Sequence, residues 1–111
     1  MMKFYDIDGN PISEATFIEQ ASDPASKIVK RTTVPTEVGP FTVSTVALLI
    51  DHNWSGEGPP VLWETLTFDQ NSYAIEDDVL FMERYTSREA AEKGHEEHVE
   101  RLRVRLGYSP K

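Results

Sequence analysis

Apolar and polar positions along this chain follow two rhythms, a period of two through the middle and a period near 3.6 at the end. Lys27 to Val34, Thr42 to Ile50, Val61 to Phe68 and Val79 to Tyr85 are rich in β-branched and aromatic residues and read as strands. The breaks between them, Pro35 to Pro40, Asn53 to Pro60 and Asp69 to Asp78, are polar or rich in Gly and Pro. Breaks this short favour antiparallel neighbours, because a parallel crossover needs roughly a dozen residues or more. A meander is the expected topology. Ahead of it, Phe4 and Tyr5, the turn pair Asp8-Gly9 and then Pro11-Ile12 predict a short strand turning tightly. Ser13 then caps a short helix, with Ile12 and Phe17 placed as a hydrophobic staple and Asp23-Pro24 as its stop.

The strongest helix signal is the capping box Thr86-Ser87-Arg88-Glu89, which predicts a helix from Ser87 to Leu106 with Gly107 as its end. Glu89, Glu92, Glu96, Glu97 and Glu100 fill its first part and Arg101, Arg103 and Arg105 its last, the order that complements the helix dipole. At 100° per residue, Ala91, Val99, Leu102 and Leu106 fall within an arc of about 80°, with His95 inside that arc and His98 beside it. Both histidines are therefore expected to face the sheet. In the third strand, alternation groups Leu62, Glu64, Leu66 and Phe68 against Val61, Trp63, Thr65 and Thr67. The first set is the more apolar and is expected to meet the helix, which would bring Glu64 to the histidines.

The second strand carries apolar residues on both faces, and one helix cannot cover both sides of four strands. The uncovered side calls for a partner, and a symmetric homodimer is the simplest one. The expected fold class is α+β: a four- to five-stranded, mainly antiparallel sheet with one long C-terminal helix and a short N-terminal helix, forming a single domain over residues 1–111.

Composition narrows the chemistry. There is no cysteine, which excludes disulfides, thiolate metal sites and a cysteine nucleophile, and suits a cytoplasmic setting. Acidic residues appear before any apolar run of signal-peptide length, and no stretch could span a bilayer, so neither export by that route nor membrane insertion is expected. The net charge is −8, and residues 1–86 hold five basic residues against fourteen acidic ones. A surface of that sign repels phosphate, so direct nucleic-acid binding is not expected. A basic partner, such as a host protein, is compatible with it. The run Glu76-Asp77-Asp78 also admits a nucleic-acid mimic.

Motifs are few. Asp6-Ile7-Asp8-Gly9 has the Asp-x-Asp opening of haloacid-dehalogenase phosphatases, but only Phe4 and Tyr5 stand where an apolar strand should precede it, and a simple turn explains it. Gly56-Glu57-Gly58 lacks the Lys-Ser/Thr of a phosphate loop. His95-Glu96-Glu97-His98 is one residue short of the zinc-protease spacing. An i,i+3 histidine pair on one helix face can still hold a metal or a small ligand if Asp51, His52 or Glu64 joins it; hydrogen-bonded core histidines explain the same pattern without either. Trp54 and Trp63 are candidate interface anchors. Glu64 and Thr65, on opposite faces of one strand, cannot serve one triad. A binding protein is expected over an enzyme, with no cofactor and no metal; the alternative is a metabolite, nucleotide or metal pocket built from Asp51, His52, Glu64, His95 and His98.

The ordered string Val43-Ser44-Thr45-Val46, Asp51-His52, Gly58-Pro59-Pro60, Trp63-Glu64-Thr65, Glu83-Arg84-Tyr85, Glu89-Ala90 and Gly94-His95 resembles a group of small uncharacterised proteins of actinobacteria and their bacteriophages. In that group an Asp-His strand end, a Gly-Pro-Pro loop, a Phe-Glu-Thr-Met strand and a Gly-His helix recur. Trp63 and Leu66 stand here in place of the Phe and Met. The match spans roughly residues 28–103. The resemblance implies a fold and a phage or actinobacterial setting, with an accessory role in the host cytoplasm, and no catalytic residue.

Overall fold

The structure, a computed structural model, describes residues 3–37, 39–69 and 79–106. Strands β1 (Phe4–Tyr5) and β2 (Pro11–Ile12) form a small antiparallel pair, followed by helix α1 (Glu14–Ala21) and a 3-10 turn at Pro24–Lys27. Then come β3 (Ile28–Thr36), β4 (Gly39–Ala47), β5 (Trp63–Asp69) and β6 (Val79–Tyr85), an antiparallel meander in the order β3-β4-β5-β6, and the long helix α2 (Arg88–Leu106). The fold is the expected α+β arrangement. Gly107, read as the helix stop, and Glu76-Asp77-Asp78 lie outside the described residues. Among the described residues no helix is long and apolar enough to cross a membrane.

Strands β3, β4 and β5 each differ from the expected bounds at both ends, β4 beginning already at Gly39, and three of the shifts are the most informative. Strand β3 continues through Pro35, which is tolerated because β3 is an edge strand with one side free of ladder partners. Strand β4 stops at Ala47 instead of Ile50, since buried Leu49 takes a positive φ of 65° and turns its carbonyl to accept the Tyr5 amide at 3.0 Å. Strand β5 begins at Trp63 and not at Val61, although Leu62 still exchanges backbone bonds with Leu48 and Tyr85.

The β1–β2 pair is fastened to the main sheet by side chains. Asp6 Oδ1 accepts the amides of Asp8 and Asn10, each at 2.9 Å, so the Asp-x-Asp stretch is a turn. Trp63 Nε1 donates to the Ile7 carbonyl at 3.0 Å, and Arg88 pairs with Asp8. Gly9, at φ 87°, lies so close to Trp63 that a β-carbon there would sit 2.8 Å from the indole ring. Phe4 stacks on Phe17 of α1 with centroids 4.2 Å apart.

Helix α2 lies on one face of the meander. It contributes Ala91, His95, His98, Val99 and Leu102, all buried, at the i, i+3, i+4 spacing of one helical stripe. Two apolar clusters form beneath it. Ala47, Leu49, Leu62, Trp63, Tyr85 and Ala91 pack near the start of the helix; Val34, Phe41, Val43, Val99 and Leu102 pack near its end. The layer between them is polar. It contains His95 and His98 from the helix and Thr45, Thr65 and Thr67 from the strands, all buried.

The strand face that meets the helix is the reverse of the one expected. Register pairs Ala47 with Trp63 and Thr45 with Thr65, so Trp63, Thr65 and Thr67 point to α2 while Glu64, Leu66 and Phe68 point away. Two reasons favour this choice. The bulky Trp63 is matched by the small Ala47 opposite it, and the threonines offer methyl groups to the core together with hydroxyls that buried histidines require.

Candidate functional site

The polar layer under α2 is a connected hydrogen-bond network. His95 Nε2 lies 2.8 Å from Thr32 Oγ1 and His95 Nδ1 lies 2.7 Å from Thr45 Oγ1, which is 2.6 Å from Thr65 Oγ1. Thr65 also bonds the Tyr85 hydroxyl, and that hydroxyl donates to Glu83 Oε1 at 3.1 Å. His98 Nδ1 is 3.2 Å from Thr67 Oγ1, and its Nε2 is 3.1 Å from the same Glu83 oxygen. Both halves of the network thus meet at Glu83, a residue of the edge strand β6 that is about half exposed.

Glu83 sets the direction of every proton in the network, because an ionised carboxylate only accepts. Tyr85 donates to it and must accept from Thr65. Thr65 therefore accepts from Thr45, which in turn accepts from His95 Nδ1–H, leaving Nε2 to accept from Thr32. On the other branch His98 donates through Nε2–H to Glu83, and its Nδ1 accepts from Thr67. The two histidines are consequently expected to hold opposite neutral tautomers, Nδ1–H for His95 and Nε2–H for His98. Nitrogen-15 NMR of the imidazole rings at neutral pH reads this directly; finding the same tautomer in both would overturn the assignment.

Burial shapes the acid–base character of the layer. Desolvation holds the His95 pKa below its usual 6.5, with a further downward push from Lys30 and His98 and an opposing one from Glu96. Desolvation also pushes the Tyr85 hydroxyl up to about 12, against a lowering bond from Thr65 and with added raising from Glu83. Tyr85 therefore remains a donor throughout the physiological range. No buried side-chain nitrogen or oxygen among the described residues lacks a partner. His95 is 0% exposed and each ring nitrogen is engaged, so the layer has no free base to offer a substrate.

The five residues expected to converge are dispersed over three places. His95 and His98 sit under the helix as expected, sealed from solvent. Glu64 does not join them: it lies on the opposite face, only 12% exposed, with Oε2 accepting from Arg84 Nε at 2.8 Å. Asp51 clamps the neck of the loop that follows β4, its Oδ1 accepting the amides of Asn53 at 2.7 Å and Val61 at 2.8 Å. His52 lies against the Trp54 ring, centroids 5.2 Å apart, and lines a hollow on the uncovered face of the sheet. Among the described residues no three His, Asp or Glu side chains gather into a group able to hold a metal ion.

Of the two tryptophans read as interface anchors, Trp63 belongs to the core at 3% exposure, whereas Trp54 stands 76% exposed on its loop. The threonine partners were missed at the sequence level. Their signal was available, since two core-facing histidines demand donors and acceptors, and threonine was the residue recurring on one face of the third strand. Compared with known proteins, the chain matches no family model, no curated protein and no solved structure.

Proposed function

We propose that this chain is a small accessory protein that acts by binding another macromolecule, using the β5–β6 half of the uncovered sheet face, with a second copy of itself as the first occupant. One observation carries the reading: Leu66, Phe68 and Met82 form an apolar strip on the face that no helix among the described residues covers, with Met82 57% exposed. The strip is flanked by Glu64 and Arg84, which pair with each other, so the contact region has no net charge even in a chain of −8. Like-charge repulsion between copies is thereby kept away from the seam. Leu66 faces Met82 directly across the β5–β6 ladder, and a strand face of this kind can meet its own two-fold copy.

The area suggests a weak contact. Two strands about 4.8 Å apart and about seven residues long offer roughly 220 Å² of projected surface, well below the approximately 800 Å² per partner of a standard interface. A concentration-dependent, exchanging dimer is the expected form. Sedimentation over a range of concentrations should show it, and Leu66→Asp with Met82→Asp should give a folded monomer. A wild-type chain that stays monomeric at the highest concentration reached would refute the self-association. The resemblance to phage and actinobacterial proteins supports a host cytoplasmic setting, in which a host protein could take the place of the second copy on the same strip.

A further inference from the structure

The β3–β4 half of the uncovered face holds a separate feature. Lys27, Arg31, His52 and Ser44 surround a hollow of about 440 Å³ whose apolar surface includes Ile28, Val46 and Leu48. Volumes of this order accommodate small organic ligands. Lys27 ends the 3-10 turn, Arg31 and Ile28 come from β3, and Ser44 and Val46 from β4, where Arg31 pairs across the ladder with Ser44 and Ile28 with Val46. Register therefore brings the cationic and the apolar groups to one side of the sheet.

Residues 1–86 contain only Lys3, Lys27, Lys30, Arg31 and Arg84 as basic residues, against fourteen acidic ones. Of these, Lys30 pairs with Glu96 and Arg84 with Glu64. Lys27 and Arg31 have no carboxylate partner among the described residues, and both border the same hollow.

We propose that this hollow binds a small organic anion, whose carboxylate or phosphate meets Lys27 and Arg31 while its apolar body lies on Ile28, Val46 and Leu48. Ser44 Oγ supplies a hydroxyl to the head group and His52 a further polar edge of the lining. Arg31 offers a planar fork suited to either oxyanion, and Lys27 a mobile point charge. The site is independent of the dimer strip, which occupies the other two strands.

Methyl-detected NMR titration of the full chain provides the test, with octanoate, octyl phosphate, octylamine and inorganic phosphate as probes. Saturable shifts at Ile28, Val46 and Leu48 with octanoate or octyl phosphate, and none with octylamine or inorganic phosphate, are the expected result. The better of the two anions identifies the preferred head group. Arg31→Glu and Lys27→Glu should each weaken that binding about tenfold, the order expected for one charged hydrogen bond, with Arg31→Gln as a milder check on folding. Leu66→Asp/Met82→Asp should leave it unchanged, which separates this site from self-association. Equal binding of octylamine, absence of saturable shifts at these methyls, or indifference to charge reversal would each overturn the proposal.

Discussion

Replacing Gly94 by alanine is expected to destabilise the fold by about 3 kcal/mol, the upper part of the range for overpacking a filled core. The sign is the reverse of what helix propensity gives, since alanine in a helix interior is ordinarily favoured over glycine by about 1 kcal/mol. Gly94 lies within α2, buried one residue before His95, and the Tyr85 ring and hydroxyl occupy the space where a β-carbon would project. A methyl group there would overlap the phenol and drive it from Glu83 and Thr65, so the helix must lift or the network must break. Urea denaturation measures the loss. Repeating Gly94→Ala in a Tyr85→Leu background should make it nearly neutral, and an equal loss in both backgrounds would show that the phenol is not the cause.

Removing the imidazole of His95 should have the next largest effect. His95→Leu leaves the Thr32 hydroxyl without its partner and deprives Thr45 of the donor that orients the chain toward Glu83. The orphaned, part-buried Thr32 hydroxyl, the donor lost by buried Thr45 and imperfect packing together are expected to cost about 3 kcal/mol at neutral pH. The pH dependence should change as well. Burial keeps the folded pKa of His95 below 6.5, so above that value both folded and unfolded chains are neutral at this residue. As pH falls through 6.5 the unfolded chain takes up the proton first and stability declines, levelling off once the folded value is passed. The groups that bias this titration are Lys30 and His98, which oppose the proton, and Glu96, which favours it; Thr32 and Thr45 are neutral neighbours. Urea midpoints of the wild type should therefore fall on acidification from about pH 7, and in His95→Gln the share due to this residue should vanish. An unchanged pH slope in that variant would place the titration elsewhere.

The polar layer also explains why the chain can keep two histidines in a small core. A pair of apolar clusters could slide along the helix axis with little penalty, whereas a layer in which every donor has one acceptor tolerates one register of α2 against β3, β4, β5 and β6. The cost is carried by threonine, whose methyl group packs like valine and whose hydroxyl closes the bond. Every buried polar side-chain atom of the layer among the described residues has a partner, and the network reaches solvent at Glu83.

Local chemistry alone determined the elements of this protein. Ser13 accepts the Thr16 amide as a helix cap, the Ser87 hydroxyl accepts the Ala90 amide at the start of α2, one residue beyond the expected Thr86 cap, and both histidines face inward, because caps and a 3.6-residue stripe act over a few neighbouring residues. The antiparallel meander follows from short connections for the same reason. Only the tertiary structure decided which face of β5 met the helix. Alternation in a strand defines two faces without saying which is inside, and counting apolar side chains chose Leu66 and Phe68. The outcome depended on groups distant in sequence: Ala47 making room for Trp63, and His95 and His98 requiring the hydroxyls of Thr45 and Thr67. That choice sent Glu64 to Arg84 and dispersed the expected pocket. Pairing of β3 with β4 separately brought Ser44 and Val46 to Lys27, Ile28 and Arg31 around one hollow, a meeting that chain order does not reveal.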